Sequence, residues 1–211
     1  FAKKFGVPIH VRSSFSDTEG TMIVAESESK SQPVSGAAVT ADEARVTVLG
    51  VPDVPGKSRE IFSAIAARKI AVDMVVQNVG MAGRADVSFT VPRAELDATI
   101  GAVESVLEHV GAEGITHDDE VSKISVVGLN MASQTNVAAR MFRALADADV
   151  NIQMITTSEI KISTLVPRSQ AAAALRAVHD GFSLHEIPND SKTWDQIKAE
   201  RTEKTDVETL I

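Results

Sequence analysis

Val46-Thr47-Val48-Leu49-Gly50-Val51-Pro52-Asp53-Val54-Pro55-Gly56, followed by Ile61-Phe62-Ser63-Ala64-Ile65-Ala66, is the stretch whose reading decides the fold, because the chain contains it twice. Val126-Val127-Gly128 answers Val48-Leu49-Gly50, and Met141-Phe142-Arg143-Ala144-Leu145-Ala146 answers the apolar run around Phe62. Further on, Val72 to Asn78 reappears as Ile152 to Ser158, with Met74 matched by Met154, and Val91-Pro92-Arg93 reappears as Val166-Pro167-Arg168. The offset is 78 at Gly50 and Gly128, 80 at Phe62 and Phe142, and 75 at Pro92 and Pro167. Insertions between conserved elements are what two copies of one fold show, since loops tolerate length changes that packed elements do not.

The copies share one element order. Residues 44 to 51 are rich in valine and lead into an Asp/Pro/Gly turn, which reads as a buried strand ending at a loop. Ile61, Phe62 and Ile65 recur at helical spacing and predict a helix over 57 to 68. Residues 71 to 79 and 85 to 91 predict two strands joined through Gly80 and Gly83. Leu96, Ile100, Val103 and Leu107 predict a helix over 93 to 110, and residues 115 to 122 one more strand. Strand, helix, strand, strand, helix, strand is the ferredoxin-like βαββαβ arrangement, an α+β fold with both helices on one face of an antiparallel sheet. The second copy follows it as far as a helix near 169 to 181. Its closing strand has two candidates, residues 182 to 187 or an N-terminal strand at Ile9 to Val11 or Thr21 to Val24. The expected organisation is a connecting segment and linker over 1–43, one domain over 44–122, a second over 123–187 and a charged tail over 188–211. Within the first of these, residues 25 to 42, rich in Ser, Glu, Gly and Ala, read as flexible linker.

Composition narrows the function. With 211 residues the chain has room for two small cores. It has no cysteine, which excludes disulfides and thiolate metal sites, and its five histidines show no paired spacing typical of zinc. A net charge of −8, with no basic cluster, argues against nucleic-acid binding. No apolar run suits a membrane span and no signal peptide is evident, so a cytoplasmic protein without metal or cofactor is expected. The opening on Phe1 rather than Met suggests a fragment or a trimmed product. There is no phosphate-cradling P-loop, no Gly-x-Ser-x-Gly elbow and no His/carboxylate set at catalytic spacing, so no catalytic residue is expected.

The candidate chemistry lies in the loops. Asp53-Val54-Pro55-Gly56 is at minimum a tight turn. It also places a carboxylate, suited to an ammonium group, beside a helix N-terminus whose N–H groups suit a carboxylate. Together these describe a receptor for a free α-amino acid. Gln77-Asn78 ends the following strand and either meets solvent or faces that loop. In the second copy the same place holds Thr156-Thr157-Ser158-Glu159, while the loop Asn130 to Asn136 lacks an Asp-x-Pro-Gly counterpart, so the copies should not bind a ligand equivalently.

Val46 to Asn78, and Lys123 to Leu165 with Asn151-Ile152-Gln153-Met154-Ile155-Thr156-Thr157-Ser158-Glu159-Ile160-Lys161-Ile162-Ser163, closely resemble the tandem ACT domains of aspartate kinase. His10-Val11-Arg12-Ser13-Ser14-Phe15 is similar to the segment joining that enzyme's kinase domain to its regulatory half, and the resemblance covers residues 1 to 184. It implies a regulatory part or subunit, without the kinase domain, of the enzyme that phosphorylates L-aspartate with ATP in amino-acid biosynthesis. Such pairs bind end-product amino acids between domains and associate side by side as dimers. The resemblance carries effector contacts to Asp53, Val54, Pro55, Gly56, Ser58, Gln77 and Asn78 of the first copy. From the second copy it adds Met131, Ser133, Asn136, Val137, Asn151, Ile152 and Thr157. Asn130 and Asn136 depart from the family, where glycine is common. L-threonine suits the neutral, hydroxyl-rich wall; L-lysine would need a carboxylate such as Glu159 or Asp73. A homodimer or a complex with a catalytic aspartate kinase subunit is expected. A stand-alone ACT sensor and a purely structural dimerisation module remain the alternatives.

Overall fold

The computed structural model describes residues 1–5, 7–18, 20–23, 33–128, 131 and 135–186. The charged tail expected over 188–211 lies outside them. The chain divides into two compact units, residues 34–185 and a second unit formed by the chain ends. Within the latter, β1 (Ile9–Val11) and β2 (Thr21–Ile23) pair with each other as a short antiparallel hairpin.

The larger unit is built on one six-stranded antiparallel sheet. Its elements are β3 (Gly36–Pro52), α1 (Lys57–Ala67), β4 (Asp73–Val79), β5 (Arg84–Pro92), α2 (Leu96–Val110), β6 (Gly114–Val127), α3 (Thr135–Asp147), β7 (Met154–Thr157), β8 (Lys161–Pro167) and α4 (Ala171–Gly181). The strand order is β4-β5-β3-β6-β8-β7. Two ferredoxin-like units are present, and they share strands. The C-terminal half of β3 opens the first unit and the N-terminal half of β6 closes it. The C-terminal half of β6 opens the second, and Gly36 to Glu43 of β3 closes it by pairing with Val127 to Val121.

Two expectations are corrected here. Residues 36 to 42 are strand, not linker, and neither residues 182–186 nor the β1–β2 hairpin supplies the closing strand; position 187 of that expectation lies outside the described residues. Residues 182–186 instead form turns after α4. The first copy is therefore inserted into the second, and a cut between 122 and 123 falls inside β6. Burial explains the placement. Val34 is 1 % exposed and packs with Ile124, Val126, Met141 and Val178 of the second core, with Ala37 beside it.

Each unit has its own core on the helical face of the sheet. In the first, Val46, Val48 and Phe89 meet Ile61 and Ile65 of α1 and Val103 of α2, with the Phe62 and Phe89 rings edge to face at 5.4 Å. In the second, Met141 and Leu145 of α3 meet Val178 of α4. Both copies enter their second helix by the same 3-10 turn, after Pro92 (φ −54, ψ 136) and Pro167 (φ −55, ψ 135). Proline fixes φ there and needs no N–H donor.

The shared strands bulge between Thr40 and Arg45, where β6 passes from Lys123 back to Asp118. Bulges bend a strand and increase its twist. Beyond them the sheet curls until its two edge strands approach on the face away from the helices. Met74 and Val76 of β4 there join Val121, Met154 and Leu165 in a third cluster. Met74 and Met154, matched in the repeat, thus meet across a pseudo-twofold relation. Arg93 and Arg168, the matched residues after the two prolines, both clasp the bulged segment. Arg93 binds Asp119 (2.9 Å) and Glu120 (3.1 Å), and Arg168 binds Asp42 (3.0 Å) and the Asp119 carbonyl (3.1 Å).

Candidate functional site

The loop from β3 to α1 has the geometry of a small-anion receptor. Gly56 is the N-cap of α1 at φ 100, ψ −21, and contributes no side-chain cap. A helix leaves its first N–H groups without intrahelical partners, and its dipole makes that end attractive to a carboxylate. A Cβ at Gly56 would meet nothing within 4 Å, so the backbone angle, not crowding, requires glycine there. Asp53 is held by its main chain, its N–H donating to the Gly83 carbonyl at 2.8 Å. Its exposed carboxylate has no hydrogen-bond or ionic partner among the described residues, so it is available to an ammonium group. Ser58 donates its hydroxyl to Gln77 Oε1 at 2.9 Å, which brings the first turn of α1 against the end of β4.

Residues that sequence reasoning passed over hold this loop. Gly50, at φ 57, donates its N–H to Asp86 (2.8 Å), and its carbonyl accepts from Arg84, which also reaches the Gly111 carbonyl (3.1 Å) and Glu113 (3.2 Å). Glycine at the repeat position was the one visible signal; Arg84 and Asp86 carried none.

The remaining predicted residues fall into two other places. Asn78 lines a recess of about 300 Å³ on the concave face, with Arg45, Ser88, Ile152, Gln153, Met154 and Ile155. This recess does join the copies, through Asn78 and Ile152, and Gln153 Oε1 is buried there without a hydrogen-bond partner. Asn151 is exposed beside it. Met131 and Thr157 line a second recess of about 440 Å³ with Thr135, Ala138, Ser158, Glu159 and Ile162. Met131 is fixed there by its N–H to the Glu159 carbonyl at 2.7 Å. Asn136 is exposed on the first turn of α3. Val137 is 2 % exposed and belongs to the second core, so its side chain offers a ligand nothing. Ser133 lies outside the described residues.

One chain cannot fold the first-copy loop against the Met131–Asn136 region. β3 and β6 run antiparallel, with Leu49 opposite Gly114 at one end and Gly36 opposite Val127 at the other. The loop after β3 and the loop after β6 therefore leave opposite ends of the shared ladder. At ~3.3 Å per residue this separation is on the order of 40 Å along the strands. A site built from both loops needs two chains.

Between the copies sits a buried ionic group. Lys123 on β6 donates to Glu43 of β3 at 2.5 Å and to Asp73 of β4 at 2.9 Å, and Lys161 approaches Asp73 at 3.9 Å. The hydrogen bond from Lys123 holds the Asp73 carboxyl below its ordinary range, against the opposing effect of burial. Burial pulls Lys123 down, but its hydrogen bonds to Asp73 and Glu43 outweigh this and leave it above its ordinary value.

Residues 124–182 match the ACT domain family, and the doubled βαββαβ fold defines the class: a regulatory module of tandem ACT domains. A solved regulatory subunit of aspartate kinase from Thermus thermophilus is 41 % identical with a TM-score of 0.68, the match covering 72 % of this chain and 99 % of that one. A structure of aspartokinase alpha and beta subunits is 44 % identical at TM-score 0.67, with the same coverage. Aspartate kinase of Pseudomonas fluorescens (strain SBW25) is 44 % identical over 186 residues, 87 % of this chain but 45 % of that protein. The chain belongs to the family of aspartate kinase regulatory subunits, and it spans about half the length of the curated relatives it matches.

Proposed function

We propose that this chain binds an end-product amino acid, L-threonine first and L-lysine second, and so mediates feedback inhibition of ATP-dependent L-aspartate phosphorylation by a catalytic aspartate kinase partner. The observation that carries this reading is the loop after β3. It sets a free carboxylate, Asp53, beside an uncapped helix N-terminus, complementary charges for the two ends of a zwitterion. Ser58 and Gln77 add neutral donors and acceptors that suit a hydroxyl side chain. Because the two βα loops lie at opposite ends of the ladder, the second-copy wall comes from another chain, either a second copy or the equivalent region of a catalytic subunit. Binding is thereby linked to association, and inhibition follows if the ligand favours one arrangement of the paired modules over another. Such couplings run about 1–3 kcal/mol.

The test is calorimetric titration of the purified chain with threonine and lysine, with sedimentation run at each end point. Saturable threonine binding that also tightens self-association supports the reading. Binding without change in association favours a stand-alone sensor, and a stable dimer indifferent to both amino acids favours a structural module.

A further inference from the structure

We propose that His179, Asp180 and His185 form a binding site for a divalent transition-metal ion, with Zn²⁺ as the type ion, at the C-terminal end of α4. The histidine spacing gives no hint of this, because His185 lies six positions beyond His179 and neither a helix nor a strand would bring them together. The turn after α4 does. Ser183 takes a left-handed angle (φ 52), its N–H donates to the Asp180 carbonyl at 2.9 Å, and the Leu184 N–H donates to the His179 carbonyl at 3.0 Å. The chain reverses at once, and Phe182, 4 % exposed in the second core, anchors the reversal. His185 is thereby returned to the last turn of the helix.

The three donors converge. His179 Nδ1 lies 3.7 Å and His185 Nδ1 3.9 Å from the Asp180 carboxylate, the two rings are 6.3 Å apart, and one ligand atom from each residue can be chosen so that all lie within 4.8 Å of one another. Tetrahedral zinc with bonds near ~2.0–2.1 Å brings its donors to roughly 3.3–3.5 Å from one another. Closing the set around an ion thus needs side-chain movements on the order of 1 Å, at one half-buried histidine and two exposed side chains. Two imidazoles and one carboxylate are the donor types that borderline cations select, and the set leaves a fourth position open. The negative end of the α4 dipole adds attraction for a cation. Arg140 of α3 opposes it, but that guanidinium is engaged by the Gly181 carbonyl at 2.7 Å and the Phe182 ring at 4.8 Å. Occupancy would fasten the turn to α4.

The test is titration of the full, untagged, chelator-treated chain with ZnCl₂ by calorimetry in a non-coordinating buffer, with the imidazole resonances followed by NMR. One ion per chain with micromolar affinity is expected, perturbing His179 and His185. His179→Ala and His185→Ala should each weaken binding by about tenfold or more, the least that loss of an inner ligand should cost when outer partners alone carry that much. His10→Ala and His109→Ala should bind as the parent does. Circular dichroism checks that each variant is folded. Absence of saturable binding below millimolar Zn²⁺, or equal affinity in the folded His179→Ala and His185→Ala variants, overturns the proposal.

Discussion

Replacing Lys123 by methionine removes the centre of the charged group between the copies and keeps most of the side-chain volume. The Lys123 side chain is 10 % exposed and Glu43 7 %, with Nζ and Oε1 2.5 Å apart. At an effective dielectric of 20 the attraction across that distance is ~6–7 kcal/mol, and taking both ions out of water costs several kcal/mol each. The intact pair therefore contributes little net stability. The single variant, in contrast, leaves Glu43 buried without its cation, and the expected loss is about 3–5 kcal/mol. Asp73, with its side chain 49 % exposed, rehydrates and adds little. In Glu43→Leu, Lys123 keeps Asp73 as partner, so the loss should be smaller. Lys123→Met combined with Glu43→Leu should recover to within ~1 kcal/mol of the parent. Urea unfolding of the four proteins reads these differences directly. A cost below ~1 kcal/mol for Lys123→Met, or a double variant no better than that single one, refutes the argument.

Linkage gives the same group two pH limbs. Asp73 is depressed below 3.8 in the folded chain, so its stabilisation is present above that value and is lost as pH falls through the lower folded pKa. Lys123 is raised above 10.5, so its share is complete below that value and disappears as pH rises through the higher folded pKa. Stability curves of the parent against Lys123→Met should converge at both extremes. Gly181 of α4 sits where an added Cβ would lie 2.8 Å from Ala144 Cβ of α3, and Gly181→Val should cost about 1–3 kcal/mol by overpacking, read from denaturant midpoints. Asp53→Ala should weaken threonine binding measurably by calorimetry while sedimentation without threonine shows association unchanged; undiminished affinity removes the loop from the site. A chain beginning at Ala44 should lose the folded second unit, seen as selective proteolysis beyond Val127, whereas one beginning at Val34 should resist.

Most of the fold is legible because the repeat aligns helix with helix and strand with strand, and each element carries its own period. The exception is instructive. Gly36, Ala37 and Ala38 bury little side-chain surface, and Ala41-Asp42 interrupts any alternation, so nothing local marks residues 36 to 42 as strand. They are held by pairing with β6 more than eighty residues away. The β3 strand is also 17 residues long, well beyond the usual 3–10. The first-copy loop is legible because Asp-x-Pro-Gly and a helix start lie together in sequence. The division of the other candidates between two recesses is not, since it depends on the curl of the sheet and on which end of a shared ladder each loop leaves. Lys123, Glu43 and Asp73 are likewise 80 and 50 positions apart, and the turn that gathers His179 and His185 shows only in three dimensions.

The nesting of one copy inside the other constrains how this region can be recombined. Chimeras that exchange a single half between relatives, whether to move ligand preference or to graft the module onto another protein, cannot be made with one crossover at the apparent repeat boundary. Such a junction would divide β6 and separate the second copy from its edge strand at the opposite end of the gene segment. Transplanting the inner copy takes two junctions, one near each bulge, and both must preserve register across a continuous strand pair. Transplanting the outer copy means carrying residues 34 to 43 with it.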